Sequence, residues 1–283
     1  MNYRHAFHAG NFADVIKHVA LLAVLEHLKK KNAGFLYLDT HAGAGVYDLS
    51  RSSAQRSGEY RAGIARLLAH AGSFRADEID RYVAIVRQSA GPDRSAITAY
   101  PGSPLIALAC RRAQDRLVLV EAAATEVENL RRAVGRESRV AVIEGDGYRE
   151  INAHVPPVER RGVVFIDPPY ETEQEFDRVV DALEAAYRRW PTGVYVVWYP
   201  LTSRADSDRF RRALEHSTLR RVLDVRFEVL PADSPHGMPG CGLAFVNPPW
   251  QIDERMKQIL PELHALLAVD GAGGTSVDWL VPE

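Results

Sequence analysis

Apolar residues recur at Ala13, Ile16, Ala20, Leu21, Val24, Leu25 and Leu28, the three-and-four spacing that predicts a helix over 13–31. Lys29, Lys30 and Lys31 fall in its last turn, where cations suit the helix dipole, and Gly34 stops it. FLYLD (35–39) then reads as a short buried strand that ends in an acid, followed by the glycine turn THAGAG (40–45). From residue 116 the two periods alternate. Strands are expected at 116–121, 140–146, 162–170 with its loop, 193–200, 221–230 and 242–250. Helices are expected at 124–134, 148–155, 176–190, 207–217 and 253–268, the last kinked at Pro261. Such alternation predicts an α/β fold: an open, mostly parallel sheet with helices on both faces.

The rhythm breaks once. The gap between FLYLD and RLVLVE (116–121) is too long for one crossover helix. Residues 46–97 therefore read as a small helical insertion subdomain, with helical periodicity at 58–71 and 76–90. Residues 1–45 and 98–283 form the core. YPGSP (100–104) reopens it, with Ser103 expected as N-cap and Pro104 as first residue of a helix over 104–113.

Composition narrows the class. At 46% hydrophobic and 25% charged, 283 residues suit one large globular α/β domain. VALLAVLEHL (19–28) is too short and too charged to span a bilayer, and MNYRHAFHAG lacks a signal-peptide core, so a cytoplasmic protein with no membrane association is expected. Cys110 and Cys241 are isolated and no HExxH occurs, so neither a disulfide framework nor a metal site is expected. No coiled-coil or dimer stripe is evident, which makes a monomer the default. The net charge of −2 argues against avid binding of long duplexes. The arginines nevertheless cluster, as Arg111–Arg112, Arg131–Arg132, Arg160–Arg161, Arg188–Arg189, Arg209 with Arg211–Arg212, and Arg220–Arg221.

Ligands of such sheets sit at the carboxyl ends of the strands. Gly43 and Gly45 let the backbone approach a ligand. A dinucleotide fingerprint would need a third glycine where Asp48 stands, so the loop suits a ligand without pyrophosphate, such as S-adenosylmethionine. A plain tight turn would use the same glycines. Glu121 ends the next strand and could accept both hydroxyls of a ribose. Asp146, beside Gly147, could hold an adenine edge. With Asp39, three acids close successive strands. Each could instead be an ordinary strand-end carboxylate.

Two stretches rhyme: VVFIDPPYE (163–171) and LAFVNPPWQ (243–251). In the first, the prolines stiffen the backbone and leave carbonyl acceptors without amide donors. Asp167 and the Pro168 carbonyl can accept both N–H groups of an exocyclic amine such as adenine N6. That draws the nitrogen toward sp³ geometry and frees its lone pair to attack a methyl group. Tyr170 offers a face for stacking a base taken out of its helix. Asp167 belongs beside the glycine-loop strand and Asn247 nearer a sheet edge. The first copy is therefore expected to be catalytic and the second to be a turn that anchors the C-terminal helix.

YRHAFHAGNFADVIKH (3–18), LYLDTHAGAG (36–45), TAYPGSPLIA (98–107), RRGVVFIDPPYE (160–171) and DWLVPE (278–283) together resemble the RlmJ family of bacterial 23S ribosomal RNA adenine-N6 methyltransferases. The resemblance implies a Rossmann-like class I S-adenosylmethionine-dependent methyltransferase core, S-adenosylhomocysteine as product, and one adenine of 23S rRNA as acceptor. It assigns His18, His41, Ser103, Glu121, Asp146, Gly147 and Asp167 to the methyl donor. It brings Tyr3, His5 and Lys17 to the RNA or the active site. Arg4, Lys17 and the arginine clusters are then expected to form a positive rim around the DPPY pocket. The same core also serves DNA adenine and protein glutamine methylation, and the fold alone would serve a non-catalytic RNA-binding module.

Overall fold

The computed structural model describes residues 5–90, 97–231, 234 and 238–282. A single 3₁₀ turn, His5–Phe7, precedes helix α1 (Phe12–Lys29) and strand β1 (Leu36–Asp39). The segment after β1 holds β2 (Val46–Asp48), helices α2 (Ser52–Ser57), α3 (Glu59–Ala62), α4 (Ile64–Ala69) and α5 (Asp77–Ser89), and β3 (Ala99–Pro101). Then follow α6 (Ser103–Cys110), β4 (Arg116–Glu121), α7 (Ala124–Val134), β5 (Val140–Glu144), α8 (Gly147–His154) and β6 (Gly162–Ile166). The chain continues through α9 (Gln174–Arg189), β7 (Val194–Pro200), α10 (Arg204–His216), β8 (Val222–Glu228), β9 (Gly240–Val246), α11 (Ile252–Leu267) and β10 (Gly274–Val281).

Eight strands form one sheet in the order β10-β8-β9-β7-β6-β1-β4-β5, and β2 pairs with β3 in a separate two-stranded sheet. β1 pairs in parallel with β4 on one side and with β6 on the other. The chain winds outward from β1 to β5, then returns to β6 on the far side of β1. That reversal opens a crevice at the carboxyl ends of β1 and β6, where ligands of such sheets bind. β9 runs antiparallel to both its neighbours, β7 and β8, and β10 is an antiparallel edge.

The sheet separates two apolar cores. One lies under α8, α9 and α10. The other lies under α1, α6 and α11 and takes in Ile64, Leu67, Ile79, Tyr82 and Val86 of the 46–97 segment. α1 is therefore covered nearly all round; 14 of its 18 residues are buried, including Asp14, Lys17 and His18. An apolar helix in that position is ordinary, but the buried polar trio requires partners.

Three details differ from the sequence reading. The helix expected over 58–71 is broken at Gly63, because a Cβ there would stand 2.1 Å from the Gly10 carbonyl oxygen. Ser103 is not the cap of α6: Gly102 takes that position, and Ser103 is the first helical residue. β10 had no counterpart among the expected strands.

Candidate active site

A cleft of ≈ 1400 Å³ opens at the carboxyl ends of the parallel strands. Lys17 and His18 of α1, His41–Ala44 after β1, Ser103, Glu121 after β4 and Asp167–Pro169 after β6 line it. Most of the residues singled out in the sequence thus meet in one place.

The glycine loop is held from below. Gly43 and Gly45 both have positive φ, +59° and +76°. Glu121 accepts from the Gly43 amide at 2.8 Å with one oxygen and from the Ala123 amide at 2.8 Å with the other. Its carboxylate is fixed in orientation and keeps lone pairs for a further donor. Asp146 caps α8, accepting from the amides of Tyr148 at 2.9 Å and Arg149 at 3.4 Å. Gly147 is required there because a Cβ would stand 2.1 Å from the Thr40 carbonyl oxygen. These two residues join α8 to the loop after β1 and stand outside the lining of the cleft.

Asp39 departs from the other strand-end acids. It is fully buried and accepts from the hydroxyls of Tyr37 and Ser103, each at 2.7 Å. Burial pushes its pKa up to about 6, against the lowering effect of those hydrogen bonds. It ties α6 to β1 instead of facing a ligand, and Ser103 is its partner.

Of the cleft histidines, His18 and His41 are held neutral by burial. Burial lowers His18 to about 3, and its Nδ1 lies 2.8 Å from the Tyr100 hydroxyl, which in turn meets Tyr82 at 2.7 Å. His41, lowered to about 4 by burial, stands edge-on to Tyr148 at 5.2 Å and contacts the Thr40 hydroxyl at 2.8 Å.

At the centre is a relay of charge. Lys17 Nζ donates to Asp14 Oδ1 at 2.8 Å and to Asp167 Oδ2 at 2.6 Å, and it lies 5.7 Å from the centre of the Trp198 ring. Asp14 Oδ2 is bound by His5 Nε2 at 3.0 Å and by the Gly10 amide at 2.9 Å. Burial opposes charge on Lys17, yet the two carboxylates outweigh it and raise its pKa well above the usual range. Burial likewise opposes charge on Asp14, and His5 and Lys17 hold it well below the carboxylate range. Asp14 had no place in the sequence reading; only its spacing of three from Lys17 on one helix face hinted at it. Asp167 uses one oxygen on Lys17, and its other oxygen has no hydrogen-bond partner among the described residues.

Tyr170 lies apart from the cleft lining. Its hydroxyl donates to the Trp198 carbonyl at 2.8 Å, and its ring leans on Phe176 at 4.6 Å. Tyr3 and Arg4 lie outside the described residues.

The second motif is at the other end of the molecule. Because β9 is antiparallel to β7, its carboxyl end meets the amino end of β7. Asn247 donates there to the carbonyls of Pro191 at 2.7 Å and Gly193 at 2.9 Å. The described residues do not form the expected positive rim either. Lys17 is buried, and Arg111–Arg112, Arg160–Arg161, Arg188–Arg189 and Arg220–Arg221 stand where the chain enters β4, β6, β7 and β8, at the end opposite the cleft. Of the clusters, only Arg132 reaches the cleft, joined by Arg51 and Arg56.

Among the described residues, no group of three or more His, Cys, Asp or Glu side chains could hold a metal ion, and no helix is long and apolar enough to cross a membrane.

A sheet of this order, with a glycine loop, a ribose-height carboxylate and a DPPY turn around one crevice, is the framework of a Rossmann-like methyltransferase. The same fold recurs at 14% identity in a solved structure of a probable spermidine synthase from Corynebacterium glutamicum (TM-score 0.50, covering 95% of this chain and 75% of that one). Residues 32–281 match the family model described as "Ribosomal RNA large subunit methyltransferase D, RlmJ". Two proteins called "Ribosomal RNA large subunit methyltransferase J" are similar over their full length and all of this chain, at 40% identity in Haemophilus influenzae and 41% in Escherichia coli. A crystal structure of a Legionella pneumophila protein is 33% identical, with a TM-score of 0.88 over 96% of this chain and 98% of that one. This chain belongs to the RlmJ family of ribosomal RNA large-subunit methyltransferases.

Proposed function

We propose that the protein transfers a methyl group from S-adenosylmethionine to the N6 amine of one adenine in 23S ribosomal RNA, acting as a monomer. The observation that carries the reading is Asp167. One carboxylate oxygen is anchored on Lys17, and the other has no hydrogen-bond partner among the described residues, beside a pair of prolines at the cleft.

The residues present suit the donor. Gly43 and Gly45 hold the loop after β1 in its left-handed turn, with Tyr47 and Leu130 packed where side chains would stand, and Glu121, oriented by two amides, is set to accept ribose hydroxyls. His18, His41 and Ser103 line the same cleft, and Asp146 with Gly147 holds α8 against the loop after β1 from outside it. The donor supplies an electrophilic methyl group.

The chain's own part is positioning. Asp167 and the Pro168 carbonyl accept the two N–H groups of N6, which localises the nitrogen lone pair along the line of attack. Positive charge grows on N6 as the new bond forms, and Asp167 stabilises it. Lys17 keeps Asp167 in one rotamer. His5, in the cleft lining, is placed to meet the RNA, and Tyr170 braces the DPPY turn through its hydrogen bond to the Trp198 carbonyl. Most of the rate gain comes from holding two reactants in line. The reaction needs no covalent enzyme intermediate.

The test uses 23S rRNA from cells lacking the protein, incubated with labelled S-adenosylmethionine and either wild-type or Asp167→Ala enzyme, then digested to nucleosides. Label in N6-methyladenosine with wild type only is the expected result. Label in duplex DNA or protein glutamine, and none in rRNA, would overturn the substrate assignment.

A further inference from the structure

Charge is sorted between the two ends of the sheet. Six segments lead into the strands that run the same way: residues 29–34, 111–116, 135–139, 155–161, 188–193 and 217–221. Together they hold fourteen lysines and arginines against three carboxylates. The chain as a whole carries −2, so everything else carries −13.

The segments form one continuous surface. Arg112 donates to the carbonyls of Lys29, Lys31 and Ala33, and Arg161 to those of Leu28 and Ala33. Arg116 and Arg139 share Glu159. Arg189 reaches the Val155 carbonyl, and Asn247 ties in the 191–193 turn. Carbonyl partners orient a guanidinium without neutralising it. Within these segments the carboxylates are Asp115, Glu137 and Glu159, and Glu26 of α1 pairs with Lys29; Lys30, Lys31, Arg136, Arg160 and Arg188 are exposed with no carboxylate in ion-pair range among the described residues. Trp250, 74% exposed, follows three residues after Asn247 at this end of the sheet.

Like charges crowded at this density repel one another, and Lys30, Lys31, Arg136, Arg160 and Arg188 make no ion pair among the described residues that would offset the repulsion. Polyanion contact is the physical use that fits. The surface is remote from the cleft: along α1, Lys30 lies about 20 Å from Lys17. One short hairpin delivering a base to Asp167 would not also cover it.

We propose that this end of the sheet docks the phosphate backbone of a second, structured segment of the RNA substrate, remote from the methylated base. The proposal rests on the reading of rRNA as substrate. It gives the near-neutral chain a local polyanion site, and it makes a long folded RNA a better substrate than a fragment.

The test is binding of a short duplex RNA of arbitrary sequence, and of full-length 23S rRNA, across a salt series. The variant carries Lys30→Gln, Lys31→Gln, Arg160→Gln and Arg188→Gln, and unchanged calorimetric binding of S-adenosylhomocysteine certifies its fold. Duplex affinity is expected to fall at least tenfold, with the slope of log affinity against log salt shallower by roughly 3. KM for 23S rRNA should rise while kcat holds, and Arg132→Gln at the cleft should leave duplex affinity within twofold. Wild-type affinity and slope in the fourfold variant would overturn the proposal. So would unchanged RNA binding with loss of binding to polyglutamate, which would mark a face for acidic proteins. A wild-type enzyme that binds the duplex but methylates no rRNA would sink the proposed activity and leave the docking face standing.

Discussion

Lys17, on the first helix, and Asp167, 150 residues later, stand 2.6 Å apart, with Asp14 closing the other side of the same ammonium at 2.8 Å. One cation thus serves two carboxylates, one sealed in the core and one at the cleft. Removing it leaves Asp167 without a counter-charge and Asp14 with His5 alone. Lys17→Met is expected to cost about 3–5 kcal/mol in denaturant unfolding. Adding Asp14→Asn should return part of that loss. A Lys17→Met protein of wild-type stability would mean the relay contributes nothing to the fold.

Asp167→Asn keeps the size of the side chain and loses its charge. Catalysis should fall by roughly two to three orders of magnitude in kcat. Calorimetry should show donor affinity little changed, because Glu121 and the glycine loop are untouched. A large loss of donor binding with kcat preserved would move Asp167 from the acceptor to the donor half of the site.

The rhyming motif gives the opposite expectation. Asn247 has φ +50° and donates to two carbonyls at the entry to β7. Asn247→Ala loses both bonds and strains the backbone, at a cost of about 2–3 kcal/mol. Methyl transfer at low temperature should stay within twofold of wild type. Inactivity of a folded Asn247→Ala protein would reverse the assignment of the two copies.

His18 links stability to pH. Its folded pKa, about 3, lies below its unfolded value of 6.5. Between those values the unfolded chain binds one more proton, so this residue's contribution is complete above pH 6.5 and is lost as pH falls. The slope is about 1.4 kcal/mol per pH unit. Asp39 works the other way, since its folded pKa near 6 lies above the unfolded value and the folded state gains the proton between pH 6 and 4. Asp39 offsets only part of the loss in acid, because His41, lowered to about 4 by burial, titrates in the same direction as His18. The difference between wild type and His18→Gln should still change by about 2 kcal/mol between pH 6.5 and 5, read from urea midpoints. A constant difference would refute the assignment of a buried neutral imidazole.

The order of helices and strands was legible because each period recurs over many residues. The apolar runs at 116–121, 162–166 and 193–200 name their own strands. Strand direction was not legible. LAFV reads the same up or down, so only the structure shows that β9 turns its NPPW away from the crevice. β10 escaped notice because its residues GTSVDWLV lack a sustained apolar run, and its pairing with β8 supplies what the sequence does not.

The site divides in the same way. Gly43, Glu121 and Asp167 announce themselves by position, at the ends of strands that a parallel sheet must bring together. Lys17 and His18 do not, since on a helix read in isolation they look like solvent-facing residues. Their resemblance to a known motif marked them; their chemistry appears only when α1 is seen to be buried on nearly every side. Asp39 shows the reverse error. A strand-end acid was grouped with ligand-binding acids, although two hydroxyls from its own chain consume it.

Gly63 makes room for the Gly10 carbonyl, which accepts from the Ile64 amide at 2.9 Å. Glu59 meanwhile binds both His8 and Asn11, at 2.9 and 3.0 Å, and the Ser57 hydroxyl donates to the Phe7 carbonyl. The loop that presents His5 and the Gly10 amide to Asp14 is thus moored, link by link, to residues 57–64. The helices between β2 and β3 cannot be traded for a short linker as a detachable cassette. Excising them would unmoor the N-terminal loop and, through Asp14 and Lys17, slacken the grip on Asp167 from the far side of the cleft.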